Sequence, residues 1–223
     1  MTQTLLVLGG EQRPEEKRRR GGYKPKGCSD VLTEDELKRI VALPDRRTKE
    51  GMRDYAILMV FANTPARRGE ICSLKTSDLI DEGDKKYLTF RVLKKRSVDP
   101  EYNRFDIPVF LYDAIKRSMD LYENRTNESP MFFTLGKHGG QTPSPITPVA
   151  LHLLVKKYAK RANINKRISP HSFRASWVTI RADEHDPFTL KEAGRWASIN
   201  SVMPYARRVQ ERVRAASLSH SVS

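Results

Sequence analysis

Two arginines, a glutamate, a histidine, a tryptophan and a tyrosine stand out in three short clusters of this 223-residue chain. The first runs Thr64-Pro65-Ala66-Arg67-Arg68-Gly69-Glu70-Ile71-Cys72-Ser73-Leu74-Lys75-Thr76-Ser77-Asp78-Leu79; the second is His171-Ser172-Phe173-Arg174; the third opens on Gly194-Arg195-Trp196 and closes on Met203-Pro204-Tyr205. These side chains suit transfer of a phosphate ester. A guanidinium is a rigid, always-charged fork of donors matched to phosphate oxygens, which makes Arg67 and Arg174 candidates for a clamp on the non-bridging oxygens. Tyr205 can form an ester with phosphate that keeps the energy of the bond it replaces. His171, whose ordinary pKa lies near neutrality, can take the phenolic proton or help to hold the phosphate. Glu70 follows Arg67 by one helical turn, a spacing for orienting that guanidinium rather than for acid catalysis.

Each cluster also has an ordinary reading. The arginines can be surface ion pairs, His171 a helix cap or core side chain, and Tyr205 a half-buried core tyrosine of the kind expected at Tyr55, Tyr112 and Tyr158. The three together, in this order, resemble the catalytic domain of the tyrosine recombinases (phage-integrase family). The first cluster is similar to that family's Arg-x-x-Glu-Leu-x-x-Leu-x-x-x-Asp-Ile box, the second to its His-x-x-Arg box, and the third to the His/Trp box that ends in the nucleophilic tyrosine. Nine positions separate Trp196 from Tyr205 and 31 separate Arg174 from Tyr205, as the resemblance requires.

The resemblance implies a site-specific recombinase or integrase. It would cut and rejoin double-stranded DNA by metal-independent transesterification through a 3′-phosphotyrosyl intermediate, with no cofactor. A lysine on the hairpin of a small sheet would protonate the leaving 5′-oxygen; Lys94 is favoured and Lys95 remains open. Trp196 takes the slot that usually holds His. Its indole N–H can donate one bond but shuttles no proton, so hydrogen bonding and packing under Tyr205 are both open. Arg195 is a competing register for that slot, ten positions from Tyr205. Pro65 replaces the usual Gly and Ala175 stands where His or Arg is common. The resemblance implies a core-binding domain before the clusters in members of integrase type; an arm alone at that place is expected of a fragment or of a single-domain member. The same resemblance admits a type IB topoisomerase-like or telomere-resolving enzyme, and a DNA-binding regulator that has lost the chemistry.

Composition agrees with a nucleic-acid partner. Lys and Arg number 41 against 27 Asp and Glu, a formal charge of +14, which gives a broad positive field. The apolar runs are far shorter than the roughly 20 residues of a spanning helix, so no membrane partner is expected and the cytoplasm, near the nucleoid, is the expected location. Cys28 and Cys72 lack a CxxC partner and point to neither disulfide nor metal site.

The positioning elements follow from the pattern. Residues 1–29, rich in Gly, Pro and charge, read as a flexible basic arm. Residues 30–206 read as the catalytic domain, and 207–223 as a C-terminal helix and tail, exchanged between protomers or packed on its own domain. Exchange would suit a homo-tetramer on two DNA sites. Thr33-Glu34-Asp35-Glu36 fits a capping box, and a second helix is expected from about Met52 to Asn63, ended by Pro65. A short helix is expected at Glu70–Lys75 and a hairpin from Tyr87–Leu93 and Arg104–Val109. Helices at Leu111–Tyr122 and Pro148–Ala162 follow, with a loop at Gly136–Pro148. Short helices then alternate with breaks at Pro187 and near Asn200. The expected class is mainly α with a small antiparallel β-sheet, an α+β domain.

Overall fold

The computed structural model describes residues 30–91, 102–134 and 144–205. The arm at 1–29, Lys94 and Lys95, most of the Gly136–Pro148 loop and the segment from 206 onward lie outside the described residues.

Helix α1 (Glu34–Ala42) begins with the capping box read from the sequence, the Thr33 hydroxyl accepting from the Glu36 N–H and the Glu36 carboxylate from the Thr33 N–H. Helix α2 (Lys49–Asn63) starts three residues before the expected Met52, because Thr48 caps it by accepting from Gly51 N–H at 3.0 Å. From Ala56 to Asn63 every residue of α2 is buried, as suits a helix surrounded by its neighbours; it packs on α1, α4 (Val109–Met119) and α6 (Pro170–Arg181). Phe61 and Phe173 meet at 5.5 Å between ring centroids, and the Trp177 indole N–H donates to Asn63 O at 3.2 Å, which fixes α6 against the end of α2.

The expected two-strand hairpin is a three-stranded antiparallel sheet, β1 (Leu79–Glu82), β2 (Lys85–Arg91) and β3 (Tyr102–Ile107), in that order. Strand β1 escaped the sequence reading because its second half, Asp81-Glu82, is exposed and charged. The turn joining it to β2 is Gly83-Asp84, with Glu82 opposite Lys85 and Gly83 at φ 68°, the left-handed backbone that tight hairpins require. Leu88, Phe90, Phe105 and Ile107 of the sheet are buried, and β2 packs against α3 (Arg68–Ser73) and α4. Helix α5 (Pro148–Arg161) lies within one residue of expectation. Pro187 is a correction: it opens helix α7 (Pro187–Gly194) rather than breaking one, since its missing N–H falls where no partner exists and Asp186 caps the neighbouring amides. The domain is mainly helical with a small sheet. Among the described residues no helix is long and apolar enough to cross a membrane.

Candidate active site

Thr64 ends α2 in extended conformation, its hydroxyl donating back to Val60 O at 2.8 Å. The chain then runs through Pro65 and Ala66 to Arg67, the residue that caps α3. Glu70, 1% exposed, turns its carboxylate back over that start. One oxygen accepts from the Arg67 backbone N–H and from Nη2 of Arg195, both at 2.7 Å, and the other accepts from Nη1 of Arg67 at 2.7 Å. The orienting contact between Glu70 and Arg67 that the spacing suggested is present, and a second guanidinium shares the carboxylate.

Arg174 reaches from α6 into the same place. Its Nη1 donates to Pro65 O and its Nη2 to Gly194 O, while Nη2 of Arg67 donates to the next carbonyl, Arg195 O. The two arginines thus grip consecutive carbonyls at the end of α7, and Arg174 also ties down the loop before α3. The Arg174 guanidinium lies 3.7 Å from the centroid of the Trp196 ring, a cation–π stack worth about 0.5–2 kcal/mol. Of the two roles open for Trp196, packing is the one with a visible partner, and that partner is Arg174. Burial first and the Arg67 charge second lower the pKa of Arg174 to about 9, which leaves it charged at neutral pH.

Gly194 is required by this stack. An ideal Cβ at Gly194 would fall 1.4 Å from the Trp196 ring, so any side chain there evicts the indole from Arg174. Gly194→Ala is expected to cost about 1–3 kcal/mol, the scale of overpacking, read as a lowered thermal midpoint together with a red shift of tryptophan emission.

Arg195 closes α7 in the left-handed region, φ 56° and ψ 45°. The other left-handed residues described are Gly83, Asn124 and Asn163, types that tolerate it; an arginine there carries roughly 1–2 kcal/mol of strain. Its guanidinium stands 4.9 Å from the centroid of the Phe90 ring on β2.

His171 lies on the first turn of α6, three positions before Arg174. Partial desolvation and, after it, the Arg174 charge hold its pKa below the usual imidazole value. Tyr205 follows a 3₁₀ turn (Ile199–Ser201); its N–H donates to Val202 O at 2.9 Å and its side chain is 5% exposed within the core. Met203–Tyr205 is helical, so Pro204 falls at the start of that turn. The structure therefore joins Arg67, Glu70, Arg174, Trp196 and Arg195 in one bonded network, with His171 within reach of the Arg174 field. Lys94 and Lys95 fall outside the described residues. The sequence offers Arg195 only as a competing register for the Trp196 slot, and singles out no role for Gly194 or Phe90. The available signal was a non-glycine at the end of a helix beside Gly194.

Residues 30–212 match the sequence profile of the Phage integrase family. The chain belongs to that family. This integrase-family chain is 30% identical over 152 residues to a tyrosine recombinase of Synechococcus elongatus, a match covering 68% of this chain and 45% of the relative. It is 29% identical to the tyrosine recombinase XerA of Pyrococcus horikoshii, over 86% of this chain and 61% of that one. The chain thus spans about half to three fifths of the length of these curated relatives. Among solved structures it is similar to XerA recombinase, with a TM-score of 0.67 at 21% identity, covering 89% of this chain and 68% of that one. It is also similar to XerH recombinase bound to its palindromic difH substrate in a post-cleavage complex, with a TM-score of 0.68 at 20% identity, covering 85% and 52%. These likenesses establish that the integrase-family fold is shared.

Proposed function

We propose that the chain is the strand-cutting part of a site-specific DNA recombinase acting through a 3′-phosphotyrosyl intermediate. The observation that carries the reading is the pair Arg67 and Arg174, drawn from helices far apart in sequence and brought to adjoining peptide units beside the chain that leads to Tyr205. In the reaction the Tyr205 oxygen attacks phosphorus and the bond to the 5′-oxygen breaks. The phenolic proton passes to His171, and Lys94 or Lys95 supplies a proton to the departing oxygen. Arg67 and Arg174 offset charge on the non-bridging oxygens, a contribution of roughly 2.7–4 kcal/mol for each preorganised donor. Each guanidinium spends two Nη–H groups on protein acceptors and has five N–H in all, so donors remain for phosphate. Because Arg174 is 4% exposed and Tyr205 5% exposed, DNA binding must be accompanied by a local rearrangement before either meets a phosphate.

The partner is double-stranded DNA, whose phosphates suit the formal charge of +14 and position the protein without reading bases. Exchange between two sites makes a homo-tetramer the working form, and DNA as substrate makes the cytoplasm its place of action. The decisive experiment incubates the protein with a pool of nicked duplexes drawn from the DNA flanking its gene. A covalent adduct on a denaturing gel supports the reading; DNA bound without an adduct favours a regulator that keeps the fold alone.

The depressed pKa of His171 has a signed consequence. At pH 7 the ring is neutral and ready to accept a proton, so the single-turnover cleavage rate should be flat there and fall only as pH drops below the ordinary imidazole value of 6.5. His171→Asn should lie about 10²–10⁴-fold lower and lack that acid limb. The same depression costs fold stability on the acid side, since the unfolded chain binds the proton first as pH falls through 6.5. A rate profile of His171→Asn that keeps the limb would assign it to another group.

A further inference from the structure

We propose that Arg195 is a positioning residue, a third guanidinium that holds Arg67 in its working orientation and ties it to the sheet. The inference rests on the phosphoryl-transfer reading of the site and adds a residue to it.

Arg195 meets the Arg67 machinery twice. Its Nη2 takes the Glu70 oxygen not bonded to Nη1 of Arg67, at 2.7 Å, and its backbone oxygen accepts from Nη2 of Arg67. Both Nη groups of Arg67 are therefore held by Glu70 and Arg195, one by a carboxylate and one by a carbonyl. The other face of Arg195 stands on Phe90, in the strand that the sequence continues towards Lys94. One side chain thus connects the loop leading to Tyr205, the start of α3 and β2.

The backbone gives an independent reason to assign it a role. Arg195 sits at φ 56°, where glycine is the natural choice at a helix end. Strained backbone of this kind persists where the surroundings over-determine it, and it gathers at functional sites. The Arg195 side chain is 12% exposed, and its Nε is buried without a partner. It is packed to hold its neighbours, with little surface left for a ligand.

Positioning and phosphate contact differ in what they predict. Arg195→Gly removes the guanidinium while relieving the backbone, and Arg195→Lys keeps a charge without the fork. In both, labelling with an arginine-selective dicarbonyl, read peptide by peptide by mass spectrometry without DNA, should show Arg67 several-fold more reactive than in the native chain. Single-turnover cleavage of the nicked duplex pool should fall on the order of 100-fold for Arg195→Gly, the scale of a misplacement of about 1 Å, with partial recovery in Arg195→Lys. The slope of log affinity against log salt should stay unchanged, whereas loss of a phosphate contact lowers it by about 0.9.

Unchanged Arg67 labelling, or a native cleavage rate in either folded variant, overturns the proposal; a reduced salt slope overturns it in favour of direct phosphate contact. If Arg195→Gly does not fold, the labelling and rate of Arg195→Lys decide in the same way. Absence of an adduct from the native chain would instead defeat the phosphoryl-transfer reading, and the labelling would still report whether Arg195 orients Arg67.

Discussion

Tyr205→Phe is expected to abolish the covalent protein–DNA adduct while leaving DNA affinity within twofold of native. The phenol oxygen is the only group this change removes, and the ring stays in the core, where Tyr205 is 5% exposed. Loss of the hydroxyl changes stability by no more than about 1 kcal/mol, the usual scale for one polar group. Its effect on cleavage is far larger. Removing the nucleophile of a hydrolase costs on the order of 10⁶ in rate, and no water route can form the adduct in its place. DNA affinity is dominated by phosphate contacts from a surface carrying +14 and does not depend on the phenol. An adduct that survives in Tyr205→Phe would mean that another tyrosine attacks. Tyr158 is a poor substitute, because it is 2% exposed and its hydroxyl donates to Asp54 at 2.9 Å, while burial first and the Asp54 charge second raise its pKa above the usual phenol value.

Glu70→Ala should be the most destabilising single change in the site, costing about 3–5 kcal/mol as read by equilibrium denaturation. Its carboxylate accepts one backbone N–H and two guanidinium bonds while 1% exposed. Without it, Arg67 and Arg195 face each other with Arg174 close behind, three cations and no anion between them. Arg67 keeps 28% of its side chain in solvent, so water screens part of the repulsion and the lower end of the range is expected. Glu70→Gln keeps the shape and some acceptor capacity and should lose less. Equal losses in both would assign the contribution to packing rather than to charge.

The Arg67–Glu70 contact was legible in the sequence because it is local: three positions on a helix put the groups on one face. The capping box at Thr33 was legible for the same reason. The grip of Arg174 on Pro65 O and Gly194 O spans 109 and 20 positions, and no periodicity encodes which carbonyls a buried guanidinium will meet. The clusters could be ranked only as a joint pattern resembling a known family. The left-handed backbone of Arg195 is not legible in the sequence, because residue type alone predicts that angle poorly for arginine. Pro187 suggests a break from sequence because a proline both interrupts and begins helices; Asp186 just before it, a good cap, is the signal that distinguishes the two.

The carbonyls of Pro65, Gly194 and Arg195 that accept from the two arginines have a consequence for selectivity among anions. They serve as neutral placeholders, two standing in the donor field of the buried Arg174 and one in that of the half-buried Arg67. A small free anion that takes the remaining donors must give up its own hydration among these dipoles with nothing more than its charge to offset the loss. A phosphate within a duplex arrives with many neighbours, and their contacts can supply the difference. For the phosphate site proposed above, this arrangement would favour an anion embedded in a polymer over the free salts of the cell.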